Sequence, residues 1–280
     1  GNYKTAETIE NIFYNAAQGS RNPDHSCIAY LKTDNSYEMT GTKNGEEEAN
    51  RKQIRYKYSP AHQDVAVCCN PNAGRITPYF LEYSWLKENE ITLVSALLCP
   101  NILTTNIHKK PITIALLTAY PSEHKLVYAI KNTNKANFVI KIRKPSWATA
   151  IVTKEKYTIE DEFIKIDRNF SVADTIQIEF KTQIRIKEDA KHEKYFSYGA
   201  LIYAKPIAAE EQKGKTYLIG FDDLVYKAKS KEHYEFIENN NAAFENNRIK
   251  LNLKNTISNQ IEEISLIPFG KTILRQVSFK

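Results

Sequence analysis

Ile112-Thr113-Ile114-Ala115-Leu116-Leu117-Thr118-Ala119, closed by the turn Tyr120-Pro121-Ser122, is the stretch whose reading decides the fold. A short run rich in β-branched and apolar residues, stopped by a proline, is the signature of a strand ending in a turn. The pattern repeats in both directions. Residues 91–98 form such a run upstream, and residues 126–130, 138–143, 163–166, 175–180 and 184–186 form others downstream. Turn signals separate them, among them Asn132-Thr133-Asn134 and Lys144-Pro145-Ser146. Many short strands at this spacing predict a β-sandwich. A second set covers residues 198–204, 217–220, 248–253, 261–267 and 272–279, with residues 210–215 and 238–241 read as loops. The boundary between the two sandwiches falls near residues 187–194.

Before residue 91 the period is helical. Residues 5–17 set Ile9, Ile12, Phe13 and Ala16 at helical spacing, one amphipathic helix that Gly19 ends. A strand-like run at residues 28–31 follows, then a charged loop around Glu46-Glu47-Glu48, Arg51, Lys52 and Arg55. A second helix is predicted over residues 72–86, with Pro78 kinking it or moving its start. Two helices cannot bury both apolar stripes without partners, so this beginning reads as the tail of a larger helical domain. The expected class is mainly β: a helical segment over residues 1–90, one antiparallel sandwich over 91–190 and another over 191–280.

Composition agrees with a globular chain and narrows its partners. The 280 residues suffice for about two domains, and 42% hydrophobic with 26% charged content excludes wholesale disorder. Seventeen Tyr against two Trp suit half-buried strand faces, and also surfaces that meet sugars. The net charge of +6 is spread along the chain without a basic stripe, which argues against nucleic-acid binding. No run of about 18 apolar residues occurs, so no helical membrane span is expected. The start carries no charged-then-apolar signal, and export to the periplasm or beyond would require that a signal has been removed. Gly1 stands where a Met would be expected, as after cleavage of a tag.

Chemistry concentrates in the segment from Ser59 to Arg75, which contains His62, Asp64, Cys68 and Cys69. The two thiols stand just before a predicted helix, whose N–H groups and dipole favour thiolate. A thiolate serves both as nucleophile and as zinc ligand, and His62 and Asp64 add candidate ligands or proton carriers. On spacing alone the adjacent pair also reads as two small buried side chains, and both readings stand. Cys27 and Cys99 read as packing residues, Trp147 as a core or domain-contact anchor, and Trp85 as part of the second helix's apolar face.

Cys68-Cys69-Asn70-Pro71-Asn72, followed by Gly74-Arg75, resembles the Cys-Cys-Pro-Pro-Asn stretch with trailing Arg of bacterial β-L-arabinofuranosidases of glycoside hydrolase family 127 (GH127), with Asn70 where that family commonly has Pro. Other stretches agree in the same order: Tyr14-Asn15-Ala16, Ala119-Tyr120-Pro121, Phe138 with Ile142-Arg143-Lys144-Pro145-Ser146-Trp147, the run from Tyr198 to Ala204, and Ile267-Pro268-Phe269-Gly270 with Leu274-Arg275. The resemblance covers nearly the whole chain and implies the C-terminal portion of such an enzyme: the end of an (α/α)6 barrel, then two supporting sandwiches. It implies a zinc ion held by a Glu and three Cys, with Cys68 as zinc-bound nucleophile and Cys69 as a neighbouring ligand. A zinc-bound thiolate stays deprotonated near neutral pH, which suits a retaining glycosidase that uses sulfur. The remaining ligands and the general acid lie upstream in that family, so the site is expected to be incomplete here unless a missing barrel domain or a second chain supplies them. The implied substrate is a plant-type arabinose-containing glycan; the alternative is a noncatalytic carbohydrate-binding or scaffolding module.

Overall fold

The period-two runs fold as strands. The computed structural model describes residues 2–24, 26–29, 32–41, 57–60, 69–132 and 135–280. It divides into two units, residues 1–12 with 76–183 and residues 13–75 with 184–280.

The first unit holds two five-stranded sheets. One has the order β2 (Trp85–Lys87), β3 (Thr92–Ser95), β7 (Ala136–Arg143), β10 (Phe163–Phe170), β9 (Thr158–Glu160). The other runs β4 (Asn101–Ile107), β5 (Lys110–Leu117), β6 (Lys125–Asn132), β11 (Ala173–Lys181), β8 (Ala150–Thr153). All neighbours are antiparallel except β3 and β7, which run parallel. Alternation decides the core: Ile112, Ile114 and Leu116 of β5 are buried, as are Phe138, Ile140 and Ile142 of β7. Each such side chain contributes about 1.5–3 kcal/mol on burial. The Tyr128 and Ser95 hydroxyls meet at 2.9 Å and join one sheet to the other. This is the predicted sandwich.

The second unit is built on an eight-stranded sheet. Its path is β12 (Arg185–Glu188), β13 (Lys194–Tyr198), β14 (Leu201–Ile207), β20 (Ile261–Pro268), β19 (Arg248–Asn255), β17 (Tyr234–Glu235). Two further strands join it, β18 (Ala243–Glu245) on β19 and β21 (Leu274–Gln276) on β14. A three-stranded sheet adds β1 (Glu38–Met39), β16 (Phe221–Ala228) and β15 (Ala209–Leu218). Phe196, Tyr203, Leu251, Leu266 and Phe279 form one buried cluster, and Met39, Tyr58, Tyr226 and Leu274 another. The run read as one strand at residues 198–204 is two, because Gly199 turns the chain at φ 59°. Residues 210–215, expected as a loop, belong to β15. Almost all of β15 is exposed, so its charged residues show no alternation, and its pairing with β16 holds it as a strand.

The helices depart from expectation in a way that matters for the site. Helix α1 (Tyr3–Asn11) is capped by Asn2, whose side-chain Oδ1 accepts from Lys4 N at 3.0 Å and Thr5 N at 3.2 Å, and continues as a π-helical turn over Ile12–Ala17. Its buried residues are Ala6, Glu10 and Asn15, whereas Ile9 and Ile12 are 42% and 51% exposed. The apolar residues Ile9 and Ile12 are therefore on the exposed side, while Glu10 packs within the first unit and Asn15 within the second. Helix α2 (Cys69–Glu82) starts earlier than predicted, includes Pro78 and stops before Trp85. The Ser84 hydroxyl donates to Leu81 O at 2.7 Å, and Ser84 O accepts from Ala96 N at 2.9 Å, which turns the chain into β2. Trp85 is thus a strand residue, not part of a helical stripe. Its indole N–H donates to Asn101 Oδ1 at 2.7 Å, and its ring packs edge-on against Tyr128. Of the predicted strand at residues 28–31, Ile28 forms isolated bridges to Arg21 and Ser59; Tyr30, Leu31 and the acidic run Glu46-Glu47-Glu48 lie outside the described residues.

Candidate functional site

Cys69 is the first described residue of α2 and is partly exposed. The Asn70 side chain donates to Pro60 O at 3.1 Å, and the Arg21 guanidinium donates to Ala73 O, so the first turns of α2 are tied to residues 21 and 60 of the same unit. Cys68, His62 and Asp64, the other candidates, lie outside the described residues. Among the described residues no three His, Cys, Asp or Glu side chains are grouped to hold a metal ion. Cys69 alone does not make a zinc site, since such sites take three or four protein ligands. Cys27 and Cys99 are buried, and burial pushes both thiols above their ordinary pKa, which disfavours the thiolate a metal needs.

What the structure does bring together are the other stretches that carry the resemblance, and it uses them as anchors. In the first unit Glu10 is 1% exposed. Its carboxylate accepts from Leu98 N at 2.9 Å and from the Tyr120 hydroxyl at 2.6 Å, and it pairs with the Arg143 guanidinium. Burial alone would lower the Arg143 pKa, but the Glu10 carboxylate raises it above the ordinary arginine value, so the charge stays. Arg143 Nε donates to Ala96 O at 2.8 Å. Trp147 is buried, stacks on Tyr120 at 6.3 Å and lies 4.6 Å from His124, whose pKa burial lowers to about 4. The Ser146 hydroxyl donates to Glu7 at 2.6 Å.

The second unit repeats the device. Asn15 holds the backbone where β14 begins, donating to Ala200 O at 3.0 Å and accepting from Ile202 N at 2.8 Å. Arg275 is 1% exposed and donates to the carbonyls of Asp34, Gly19 and Thr33 at 3.1, 3.0 and 2.9 Å, while its guanidinium lies 3.6 Å over the Phe269 ring. Burial lowers its pKa to about 10. The Phe269 ring sits so close to Gly19 that a Cβ there would be 1.9 Å from Cε1. Helical periodicity missed Glu10 and Asn15 because it scores apolar residues only. A signal was available in the company each keeps: Asn15 sits in one quoted landmark, and Glu10 pairs with Arg143 from another.

Three comparisons bear on kinship. Residues 92–182, β3 through β11, match the family model described as the GH127 middle domain of β-L-arabinofuranosidases. A GH127 β-L-arabinofuranosidase from Geobacillus stearothermophilus T6 superposes with a TM-score of 0.64 at 15% identity, over 99% of this chain and 45% of that one. A second GH127 β-arabinofuranosidase gives 0.67 at 15% identity, over 100% and 46%, and a structure described as a glycoside hydrolase gives 0.68 at 16%, over 99% and 48%. No curated protein matches. At such identities the superpositions show a shared fold; with the middle-domain match they bear out the resemblance read from the sequence. The chain spans under half the length of each of these solved structures.

Proposed function

We propose that these residues are the C-terminal part of a GH127-like glycoside hydrolase acting on arabinose-containing glycans, the segment that carries both helices preceding two sandwich portions. The observation that carries the reading is the middle-domain match at residues 92–182 inside a fold shared over the whole chain. Two further features support it. The cysteine segment runs into helix α2, whose first described residue is Cys69. The outward residues Ile9 and Ile12 of the first helix, and Tyr79, Leu81 and Tyr83 at the end of α2, leave apolar surface suited to packing against further helices of a barrel.

In this reading Cys68 is the nucleophile, Cys69 a metal ligand beside it, and His62 and Asp64 further candidates for the shell. Zinc, when bound, would supply the positive charge that keeps the thiolate deprotonated. The rest of the shell and the general acid would come from barrel residues outside these 280 or from a second chain. Buried rings at Trp147, Tyr128 and Tyr203 favour a supporting role for the sandwiches over a sugar-stacking module. The test compares β-L-arabinofuranosidase turnover by this chain alone with turnover by a longer polypeptide carrying the preceding barrel segment. Activity only in the longer form, abolished by Cys68→Ser, is expected. Full activity of this chain alone, or activity untouched by Cys68→Ser, refutes the reading.

A further inference from the structure

The second unit carries a half-open cavity of about 330 Å³ lined by Asn22, Pro23, Asp24 and Ser26 on one side and by the hairpin of β15 and β16 on the other. The loop is closed by the Asn22 side chain, which accepts from Cys27 N at 2.8 Å, and by Asp24, which accepts from Ser26 N at 2.9 Å and from its hydroxyl at 2.7 Å. Cys27 Sγ reaches Asp222 O at 3.5 Å and holds the loop against the hairpin. Across the cavity, the register sets Glu211 opposite Tyr226 and Lys213 opposite Leu224, and bulges on either side of Thr216 reshape the hairpin towards its tip.

The lining joins two kinds of surface. Asp24, Glu211, Asp222 and Lys213 supply polar groups, while Leu224 and Ile273 supply apolar ones. The carboxylates are already held in place. The Tyr226 hydroxyl donates to Glu211 at 2.7 Å, Thr216 donates to Asp222 at 2.6 Å, and the Lys213 ammonium lies 3.0 Å from Asp222. A carboxylate has about four lone-pair positions, so these bonds orient Glu211 and Asp222 and leave them acceptor capacity. Among the described residues no three carboxylates, thiols or imidazoles are grouped to hold a metal ion. Acceptors spread around a wall, with an ammonium donor among them and an apolar patch beside them, match a ligand whose hydroxyls are distributed around a compact C–H face.

We propose that this cavity binds a neutral sugar, one ring in size, through hydrogen bonds to Glu211, Asp222 and Lys213 and packing on Leu224 and Ile273. Its volume sits at the small end of the roughly 300–1,000 Å³ span of ligand pockets. The inference does not depend on the cysteine segment, so either can fail without the other. The test is NMR titration of the chain with L-arabinose, D-xylose and D-galactose, and separately with putrescine and calcium chloride. The expected result is a saturable response to at least one sugar at millimolar concentration, with shifted amides at residues 22–26 and 211–226. Glu211→Ala and Lys213→Ala should each weaken binding by about threefold to tenfold, the loss of one hydrogen bond, with an unchanged melting midpoint. Lys213 is 70% exposed, so its variant tests the idea even if Glu211→Ala disturbs Tyr226. No saturable response to any sugar, or saturation by putrescine or calcium alone, overturns the proposal.

Discussion

Replacing Glu10 by Ala should cost the first unit about 3–5 kcal/mol, because removing one partner of a buried ion pair leaves the other charge uncompensated. The charge left behind is the Arg143 guanidinium, which is 0% exposed. Arg143 Nε still donates to Ala96 O, but the donors from Leu98 N and Tyr120 lose their acceptor as well, and these losses overlap instead of adding. Against a typical total of about 5–15 kcal/mol, this is a large fraction. At about 4 °C per kcal/mol for a unit of this size, the melting midpoint should fall by roughly 12–20 °C. Both tryptophans, Trp85 and Trp147, belong to this unit, so their fluorescence follows its unfolding separately from the other unit. The double variant Glu10→Leu with Arg143→Met removes the stranded charge and should recover at least half of the loss. The loss should also vary little with salt, since a buried pair is poorly screened. A cost below about 1 kcal/mol, the range of a surface pair, or a double variant no better than Glu10→Ala, refutes the argument.

Three other outcomes follow from the geometry. Gly19→Ala should destabilise the second unit by about 1–3 kcal/mol, because its Cβ meets Phe269 at 1.9 Å and the ring cannot retreat without losing its contact with Arg275; an unchanged urea midpoint would count against this packing. His124 should make stability fall with pH. Above 6.5 both states are neutral; between 6.5 and about 4 the unfolded chain binds a proton the folded chain does not, so the loss grows downward and is complete below about 4. Discounted for partial exposure, it reaches about 2 kcal/mol, and His124→Phe should flatten that part of the stability curve. Metal analysis of protein purified without chelator should find well under one zinc per chain, because Cys69 and its neighbour Cys68 supply too few donors unless His62, Asp64, Cys27 or a second chain completes the shell; about one zinc per chain, lost in Cys69→Ala, would show a shell that closes within these residues.

The sequence by itself determined the β class, most strand positions and the resemblance to GH127, because each is written in local chemistry. Residues 112–117 alternate since one face of β5 is buried, and prolines and glycines mark where strands end. Tertiary structure decided what local pattern cannot encode. Strand β15 has no apolar face, so only its partner β16 makes it a strand. The inward face of the first helix is polar, because Glu10 and Asn15 are buried against groups about 90 to 190 positions away in sequence, and a buried polar side chain is stable only where such partners exist. Trp85 left the helix for a strand because Ser84, Ala96 and Asn101 offered hydrogen bonds there. The cavity at Glu211 and Asp222 lay beyond reach for the same reason: its two walls are almost 190 residues apart in the chain and meet only when the hairpin folds over the loop.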